Sequence, residues 1–402
     1  MKILLIHSYY QKKGGEDVTF EQESQLLSQS ATVRQLSFSN QAGLRGALQF
    51  FLSIWNIRAA SKLRRAIREF RPDIIHCHNL HFGIGPIAIR VASKRGIPFT
   101  LTLQNFRLLC PSATLALDGA LFTDSLGRSF PWGAIRRKVY RNSALLSFWL
   151  AFIIWFHKKI GTWKKVDAYI VLTDFARSIF VHSSFAMPAE KIAIKANSVD
   201  FLPSPFAERG EHFLFVGRLS MEKGIPLLLD VFGQTGITLR IAGEGPLEPL
   251  VREAALRHSN IQYLGPLSRE QVRMEMSACT ALVFPSIWYE GFPLTILEAF
   301  ASGTPVIASN LGAMASMIVH GYNGLHFSPG NAVAFGEQVA AWKGMGRKER
   351  EVYVRNASAT YQADYTTEKN RDKLMAIYDN LLLQAEKRPG TNLNALKFPT
   401  YE

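Results

Sequence analysis

The sequence predicts an α/β protein of two domains, each built on a parallel β-sheet. Short apolar segments typical of buried strands alternate with longer segments of helical periodicity along nearly the whole chain, and this alternation is typical of parallel sheets. In the second half, each predicted strand end carries Gly, Pro or Ser, the residues expected where such sheets bind their ligands. At 402 residues the chain exceeds what one hydrophobic core usually holds, so we expect two domains.

The first half of the chain supplies the elements of the first domain. Its helical segments repeat apolar residues every three to four positions, and its strand segments are short, apolar and bounded by turn or polar residues. We therefore predict helices over Thr19–Leu27 and Arg58–Phe70. The strands predicted here are Lys2–Ser8, Asp73–His76, Pro98–Leu103 and Ala168–Thr173.

The second half continues the pattern, with helices expected over Ile225–Phe232 and Leu294–Ala301. Between the halves, Val199–Gly210 is proline-rich and irregular, as expected of a hinge. We assign residues 1–200 to the first domain, 201–365 to the second, 366–386 to a helix that packs back toward the first domain, and 387–402 to a loose tail. The strands predicted in the second domain are His212–Val216, Ile237–Ala242, Ala281–Pro285 and Pro305–Ser309.

The net positive charge of the chain comes entirely from its first half. Lys and Arg number 46 against 32 Asp and Glu, a formal charge of +14, and residues 1–200 hold 27 of the bases but 12 of the acids. This asymmetry indicates that one domain faces an anionic partner, which could be phospholipid, a lipid-linked phosphate or nucleic acid. We expect no nucleic acid, because no motif of basic and aromatic residues supports it. Three dispersed cysteines favour the reducing cytoplasm.

An apolar segment at Ala144–Phe156 lies between basic clusters within residues 136–159. As a helix it would be about 20 Å long, too short for a hydrocarbon core of roughly 30 Å. Trp149 and Trp155 between basic flanks favour peripheral contact with an anionic membrane, here the inner face of the plasma membrane. The alternative is a helix buried on all sides within the first domain. The sequence leaves both open.

Two glutamates flank a loop that leads into a predicted helix. The segment Glu290-Gly-Phe-Pro-Leu-Thr-Ile-Leu-Glu298 places Glu290 before the helix and Glu298 within it. Gly291 allows a tight turn and Pro293 suits a first helical turn, so the free amides of the helix can face an anion. Two carboxylates beside such amides can hold sugar hydroxyls on one side and ribose hydroxyls on the other.

A second loop carries two cations. The segment Gly217-Arg-Leu-Ser-Met-Glu-Lys-Gly224 follows one predicted strand and precedes the helix that begins at Ile225. Arg218 and Lys223 can reach one site from this loop. Together they would neutralise a diphosphate leaving group, for which the planar guanidinium is well suited.

With these motifs the chain resembles the retaining enzymes of glycosyltransferase family 4. The resemblance covers roughly residues 1–383 and is most specific over residues 284–330. It implies the GT-B fold, in which two Rossmann-like, doubly wound domains face each other across a cleft. The first domain would then take the acceptor, and the second the nucleotide-sugar donor.

The resemblance also implies roles for individual residues. Glu290 would hold the donor sugar and Glu298 the donor ribose, while Arg218 and Lys223 would bind the diphosphate. Gly15, in a glycine loop, would approach the diphosphate from the first domain. We therefore predict Glu290, Arg218 and Lys223 as catalytic. The predicted donor-binding residues are Gly15, Gly217, Gly291, Phe292, Pro293, Leu294 and Glu298.

The implied reaction is transfer of a hexose, with retention, from a nucleotide diphosphate sugar to a hydroxyl acceptor. The acceptor would be a lipid-linked or polysaccharide intermediate of bacterial surface glycan assembly. The family needs no metal or cofactor, and the sequence contains no Asp-x-Asp motif or His/Cys cluster that suggests one.

The first half is similar to a subgroup of the family through the patterns His76-Cys-His-Asn79 and Thr102–Pro111. We take the two histidines, at alternate positions of a strand end, to point to opposite faces, so that one packs and His78 faces the cleft. The residues predicted on the acceptor side are His78, Asn79, Gln104 and Asn105.

The sequence departs from this subgroup at two positions. Gln104 stands where many relatives carry histidine, which leaves open a nucleotide-sugar-binding protein that has lost catalysis. Cys110 stands without the further cysteines of the subgroup, and we expect it to be a small buried residue.

Overall fold

The computed structural model describes residues 1–11, 14–200 and 209–387. These residues form two α/β domains, each with a parallel sheet of six strands and with apolar clusters on both faces of the sheet. The predicted fold class is therefore confirmed. Most of the hinge predicted at residues 199–210 and the tail predicted after Lys387 lie outside the described residues.

The first domain contains β-strands whose carboxyl ends converge on one edge of its sheet. The main sheet has the order β2-β1-β3-β4-β7-β8, all neighbours parallel, and β5 pairs with β6 in a small hairpin. The strands are β1 (Lys2–Tyr9), β2 (Thr32–Ser39), β3 (Ile74–Cys77), β4 (Phe99–Leu103), β5 (Ala116–Leu117), β6 (Ala120–Leu121), β7 (Ala168–Val171) and β8 (Ile192–Ile194). The helices are α1 (Gly15–Ser28), α2 (Gly43–Leu52), α3 (Ile57–Phe70), α4 (Ile87–Ser93), α5 (Trp132–Arg136), α6 (Ala144–Lys159) and α7 (Asp174–His182).

The second domain repeats this architecture. Its sheet has the order β11-β10-β9-β12-β13-β14, again with parallel neighbours. The strands are β9 (Phe213–Val216), β10 (Leu239–Ala242), β11 (Ile261–Gly265), β12 (Ala281–Phe284), β13 (Val306–Ser309) and β14 (Gly324–Phe327). The helices are α8 (Ile225–Thr235), α9 (Glu248–Arg257), α10 (Arg269–Ala278), α11 (Leu294–Ala301), α12 (Gly312–Met317), α13 (Ala332–Gly344), α14 (Arg347–Asp364) and α15 (Thr367–Glu386).

Burial on both faces explains the unbroken apolar strands. In β1, Leu4 and Ile6 enter one apolar cluster, whereas Ile3 and Leu5 enter another on the opposite face. Successive side chains of a strand point to opposite faces, so a sheet covered by helices on both sides needs apolar residues at every position.

The last helix, α15, returns to the first domain. Its Leu374 and Tyr378 join the apolar cluster that contains Ile3 and Leu5 of β1. The Tyr378 hydroxyl also lies 2.6 Å from Nδ1 of His76 in β3. The chain thus crosses from the second domain back onto the first sheet.

Helix α6, which contains the apolar segment, buries one face and leaves another partly open. Leu150, Ile153 and Ile154 are buried, but Leu145 is 63% exposed. The helix is therefore not buried on all sides. Within the described parts of the chain, no helix combines the length and the apolar character that crossing a membrane requires.

Candidate functional site

Two loops at the carboxyl edge of the second sheet form the centre of the candidate site. One follows β9 and carries Arg218 and Lys223; the other follows β12 and leads to α11. The Ile287 amide donates to the Glu222 carbonyl at 2.9 Å, and Ser286 Oγ lies 3.1 Å from the same oxygen. Gly224 has a φ of 73°, and a Cβ there would lie 2.1 Å from the Pro285 carbonyl oxygen. Glycine therefore allows the two loops to touch.

Glu290 is held in this junction by three donors. Lys223 Nζ, Ser286 Oγ and Trp288 Nε1 each contact its Oε1, at 2.7, 2.8 and 2.7 Å. The carboxylate is only 8% exposed, and Lys223 Nζ lies 5.2 Å from the ring centre of Phe284. Charge-assisted bonds of this kind are strong and directional. The structure thus brings together Glu290 and Lys223, which are 67 positions apart in the sequence.

Arg218 lies beside an open cavity of about 800 Å³. The side chain is exposed. Gly217 and Gly243 belong to the same wall, and a Cβ on Gly243, whose φ is 138°, would lie 1.9 Å from the Gly217 carbonyl oxygen. Glycine at position 243 therefore allows the loops of Gly217 and Gly243 to pack closely against each other. The cavity is lined by Val216, Gly217, Arg218, Ala242, Gly243, Glu244, Gly245, Pro246, Glu248, Pro266, Leu267 and Val272.

Glu298 lies on α11 and is half-buried. Burial raises the pKa of its carboxyl to about 7, although Arg269 partly offsets the shift. The carboxyl therefore titrates near neutral pH. A raised pKa of this kind is more common at ligand-binding sites than at surface charges. Of the other predicted donor residues on this loop, Phe292 packs its ring 6.2 Å from that of Tyr365.

The first domain contributes a glycine loop at the start of α1. A Cβ on Gly15 would meet no atom of the described residues within 4 Å. The next residue, Glu16, accepts hydrogen bonds from Asn105 Nδ2 at 2.7 Å and from the Tyr10 hydroxyl at 3.0 Å. Burial raises the pKa of Glu16. The predicted residue Asn105 is thereby joined to Tyr10 through the carboxylate of the residue that follows Gly15.

The two domains approach each other at Gly291 and Gln104. A Cβ on Gly291 would lie 2.5 Å from the Gln104 carbonyl oxygen, and the rings of Phe175 and Tyr289 meet nearby at 4.7 Å between centres. The Gln104 side chain accepts from Asn197 Nδ2 at 3.5 Å. Gln104 and the glutamate loop therefore border the same interdomain space.

Asn79 has an internal structural role. It is buried, and its Nδ2 donates to the Ser8 carbonyl while its Oδ1 accepts from the His81 amide, both at 2.9 Å. These bonds join the ends of β1 and β3. The amide is thus engaged inside the first domain, where it supports the loop that borders the cleft.

The expectation that His76 and His78 point to opposite faces is wrong. Their ring centres are 4.3 Å apart, and both lie next to Glu23 of α1, with His78 Nε2 2.9 Å from Glu23 Oε1. Residues two positions apart in an extended strand share a face, so alternation places the two rings together. Both histidines are buried.

Glu23, His76 and His78 form the only three-residue group of possible metal ligands found in the described parts of the chain. Lys195, however, forms a buried ion pair with Glu23. Both nitrogens of His76 have partners, Thr102 Oγ1 at 2.7 Å and the Tyr378 hydroxyl at 2.6 Å. The Glu23 carboxylate is therefore already paired with an ammonium, and we assign this cluster a structural role.

The pKa values of this cluster follow from its partners. Burial alone would raise the pKa of Glu23, but Lys195 and the two histidines outweigh burial and hold it well below its usual range. Burial and the neighbouring His78 hold the pKa of His76 well below its usual range. The cluster joins α1, β3 and the end of β8 to α15.

Cys110 is buried, as expected.

Sequence reasoning missed Ser286 and Trp288, the two neutral donors to Glu290. Both precede Glu290 in the same loop, four and two residues before it. The sequence did offer an indication of these donors, because a hydroxyl and an indole N–H follow shortly after a predicted buried strand.

Two family profiles match two successive segments of the chain. Residues 41–201 match the profile described as Glycosyltransferase Family 4, and residues 200–360 match the profile described as Glycosyl transferases group 1. D-rhamnosyltransferase WbpZ of Pseudomonas aeruginosa is 34% identical over 180 residues, which are 42% of this chain and 47% of that protein. O-antigen chain mannosyltransferase C of Escherichia coli is 30% identical over 175 residues, 42% of this chain and 47% of that protein.

The chain therefore spans about half the length of these curated relatives. Among solved structures, Anabaena HepE in complex with UDP superposes with a TM-score of 0.66 at 18% identity, covering 94% of this chain and all of HepE. That likeness shows the two-domain GT-B fold. Because the two family profiles follow one another along residues 41–360, the chain belongs to glycosyltransferase family 4.

Proposed function

We propose that this protein transfers a hexose, with retention, from a nucleotide diphosphate sugar to a hydroxyl of a lipid-linked or polysaccharide intermediate in bacterial surface glycan assembly. The observation that carries the proposal is the anchored Glu290–Lys223 pair, 2.7 Å apart, beside the glycine-lined cavity that Arg218 borders. HepE, which shares the fold, binds UDP. The named mannosyltransferase relative acts on an O-antigen chain, which supports the class of acceptor.

The donor would lie across the carboxyl edge of the second sheet. Its nucleoside would enter the cavity beside Gly217, with Glu298 accepting from ribose hydroxyls. The diphosphate would lie between Arg218, Lys223 and the first amides of α11, which include that of Leu294. Positive charge aimed at the departing diphosphate stabilises the charge that develops in the transition state.

Glu290 would orient the sugar. Three donors hold its Oε1 and none of them contacts Oε2, which would accept from a sugar hydroxyl. Retention would proceed through an ion pair, with the departing phosphate as the base for the acceptor hydroxyl. This route needs no histidine at position 104, where the chain has Gln104.

We propose further that the reaction needs no metal and no cofactor, because Arg218 and Lys223 supply the positive charge at the diphosphate. We also place the protein in the cytoplasm, peripheral to the inner face of the plasma membrane, with residues 136–159 near anionic lipid. Leu145, exposed at the start of α6, and the basic excess of residues 1–200 support this placement.

The test is a thermal-shift panel with UDP, GDP, ADP and CMP and their sugar conjugates. A ligand at 100 times its Kd stabilises a protein by about 2.7 kcal/mol. We expect one nucleotide to raise the Tm of the wild type and not that of Glu298→Ala. Proton NMR of the released or transferred sugar then gives its anomeric configuration, and repetition with EDTA tests the need for a metal.

Inversion at the anomeric carbon would contradict the retaining mechanism, and loss of turnover in EDTA would contradict metal independence. Binding of a sugar nucleotide with neither transfer nor slow hydrolysis would favour the second candidate, a nucleotide-sugar-binding protein without catalysis. The glutamine at position 104, where many relatives carry histidine, is the observation that favours this candidate.

A further inference from the structure

A cavity of about 480 Å³ in the first domain is not used by the donor site described above. We call it the aromatic cavity; its lining includes Phe50, Phe51, Phe82, Tyr140, Arg107 and Arg141. Its volume is in the range of small-molecule sites, which are mostly apolar with a few polar groups. The residues come from α2, from the loop after β3, from the loop after β4 and from the segment before α6, so the cavity exists only in the folded domain.

Three of the rings form one wall. The ring centre of Phe50 lies 4.9 Å from that of Phe82 and 6.1 Å from that of Tyr140, and the Phe50 and Tyr140 rings are nearly parallel. Rings that support one another in this way keep their orientation without a ligand. The wall therefore offers a preformed apolar surface.

Two arginines border this wall without an acidic partner. The Arg107 guanidinium lies over the rings of Phe82 and Tyr140, at 5.8 and 5.7 Å, and Arg141 lies over Tyr140 at 5.7 Å. The Nε of Arg107 is buried and has no hydrogen-bond partner among the described residues. Within the same part of the chain, no carboxylate lies within ion-pair distance of either arginine.

Glu16 is influenced by the charge of Arg107 but does not form an ion pair with it. The charge of Arg107 only partly offsets the burial that raises the pKa of Glu16. Both oxygens of Glu16 are engaged, one by Asn105 and one by Tyr10. The Nε itself is closed to a ligand because it is buried. Arg107 lines the cavity, however, and an anionic ligand there would form strong charge-assisted bonds with its guanidinium.

Helix α2 extends the apolar surface outward from the cavity. Phe50 and Phe51 line the cavity, whereas Leu44, Leu48 and Leu52 are 91%, 59% and 50% exposed. Exposed leucines on three successive turns of one short helix form a contiguous apolar ridge, which usually marks an interaction site. An occupant of the cavity can thus continue over this ridge.

We propose that the aromatic cavity binds the acceptor, and that the acceptor is an amphiphile whose phosphate or diphosphate is joined to an apolar chain. The anion would contact Arg107 and Arg141, and the chain would follow the rings to the ridge of α2. The inference rests on the proposed function, because an acceptor requires a transferase. The cavity includes Tyr10, which reaches the cleft through Glu16 and Asn105.

The test measures binding to the full-length protein by titration calorimetry, without a nucleotide sugar. Farnesyl diphosphate carries both features, farnesol lacks the anion and pyrophosphate lacks the chain. We expect farnesyl diphosphate, below its micellar concentration, to bind at least tenfold more tightly than either of the others. Arg141→Gln and Arg107→Gln should each weaken its binding about tenfold, the loss of one charge-assisted contact.

The matched control is Arg64→Gln, which changes an exposed arginine of α3 outside the cavity. Arg107 packs on two rings, so its variant could fail to fold; Arg141 is exposed and carries the test in that case. Equal binding by wild type, Arg141→Gln and Arg64→Gln would overturn the proposal. Pyrophosphate binding as tightly as farnesyl diphosphate would also overturn it, since the site would then be one for free anions.

Vesicles of phosphatidylcholine with phosphatidylglycerol separate a specific site from a bilayer contact. If the arginine variants lose vesicle binding but bind farnesyl diphosphate as the wild type does, the surface serves the membrane only and the proposal fails. A nucleotide titration distinguishes the two levels: loss of UDP-type binding with intact farnesyl diphosphate binding would contradict the proposed function and leave the amphiphile site standing.

Discussion

The two faces of the cleft are built in different ways. The face of the second domain consists of two short loops, whose residues lie within residues 217–224 and 285–298 and bind one another through Glu290 and Glu222. The face of the first domain gathers Tyr10, Glu16 and Asn105, of which Glu16 and Asn105 lie 89 positions apart. The first is a compact polar site, whereas the second is a wide surface that combines amides, rings and two arginines without an acidic partner among the described residues.

This difference matches the two substrates that we propose. The proposed donor presents a diphosphate and a ribose, and a fixed set of charges in two loops suits these groups. A surface assembled from several loops, as on the proposed acceptor side, can change without disturbing the sheet. The charge follows the same division, because the basic excess belongs to residues 1–200.

Lys223→Ala is the substitution with the largest expected effect, and it tests the role of the donor face. The substitution removes the cation at the diphosphate and leaves the buried Glu290 carboxylate with only its neutral donors. We expect kcat/KM for transfer to fall about 100- to 1,000-fold, as for other groups that stabilise a leaving charge. The measurement is steady-state transfer together with a circular dichroism melt.

Lys343→Ala is the matched control, because Lys343 pairs with Glu211 on the outer surface of the second domain. We expect its turnover to equal that of the wild type. A folded Lys223→Ala protein with near-normal kcat/KM would mean that the charge at the leaving group comes from elsewhere.

Glu298→Gln separates stability from function on the donor face. The pKa of Glu298 is raised to about 7 in the native state from a usual value of 4.5, so the native protein keeps a proton that the unfolded chain releases. The free energy of unfolding therefore falls as the pH rises from about 4.5 to 7, and the penalty is full above 7. Glutamine removes this penalty, which is on the order of 1–3 kcal/mol.

We accordingly expect Glu298→Gln to be more stable than the wild type at pH 8 and equal to it near pH 4.5, while its nucleotide affinity falls. Urea melts at the two pH values and a nucleotide titration check this. A variant that is destabilised at pH 8 would show that Glu298 has a structural partner and is not held ready for a ligand.

The eight strands predicted from the sequence are the eight interior strands of the two sheets, and the strands missed in these sheets are their four edges. Lys2–Ser8 was predictable because β1 is buried on both faces, whereas the edge strand β2 alternates between exposed and half-buried residues. An interior strand of a parallel sheet must be apolar throughout. The edge strand β2 faces solvent and contains polar residues, so its pattern resembles that of a loop.

The site shows the same division. Glu290 and Lys223 were predictable because each lies in a short motif next to a strand end. Glu23 and Lys195, which form a buried ion pair across 172 positions, leave no local pattern, since only the packing of α1 against β8 and α15 brings them together. The arginines of the aromatic cavity were missed for the same reason.

Trp288→Phe tests whether the indole N–H orients Glu290 within the donor face. Phenylalanine keeps a ring beside Lys223, which now lies 5.9 Å from the indole, but it removes the N–H that Glu290 accepts at 2.7 Å. Glu290 would then be less well oriented toward the sugar. We expect KM for the nucleotide sugar to rise about tenfold with little change in affinity for the bare nucleotide.

Trp132→Phe, at an exposed tryptophan of the first domain, is the control for the change of residue type. Equal losses of affinity for the nucleotide and for its sugar conjugate would show that Trp288 supports the whole loop instead of the sugar contact.

The smallest expected effect concerns the outer surface of the first domain. Leu145→Glu places a charge at a leucine that is 63% exposed, next to the basic cluster before α6, and Leu256→Glu does the same at an exposed leucine of the second domain. If only the first domain meets anionic lipid, Leu145→Glu should weaken flotation with phosphatidylglycerol vesicles several-fold, since one charge near such a surface is worth about 1 kcal/mol. Leu256→Glu should have no effect. Equal effects of the two substitutions would show that lipid contact does not distinguish the first domain from the second. The basic excess of the first half would then serve the acceptor alone.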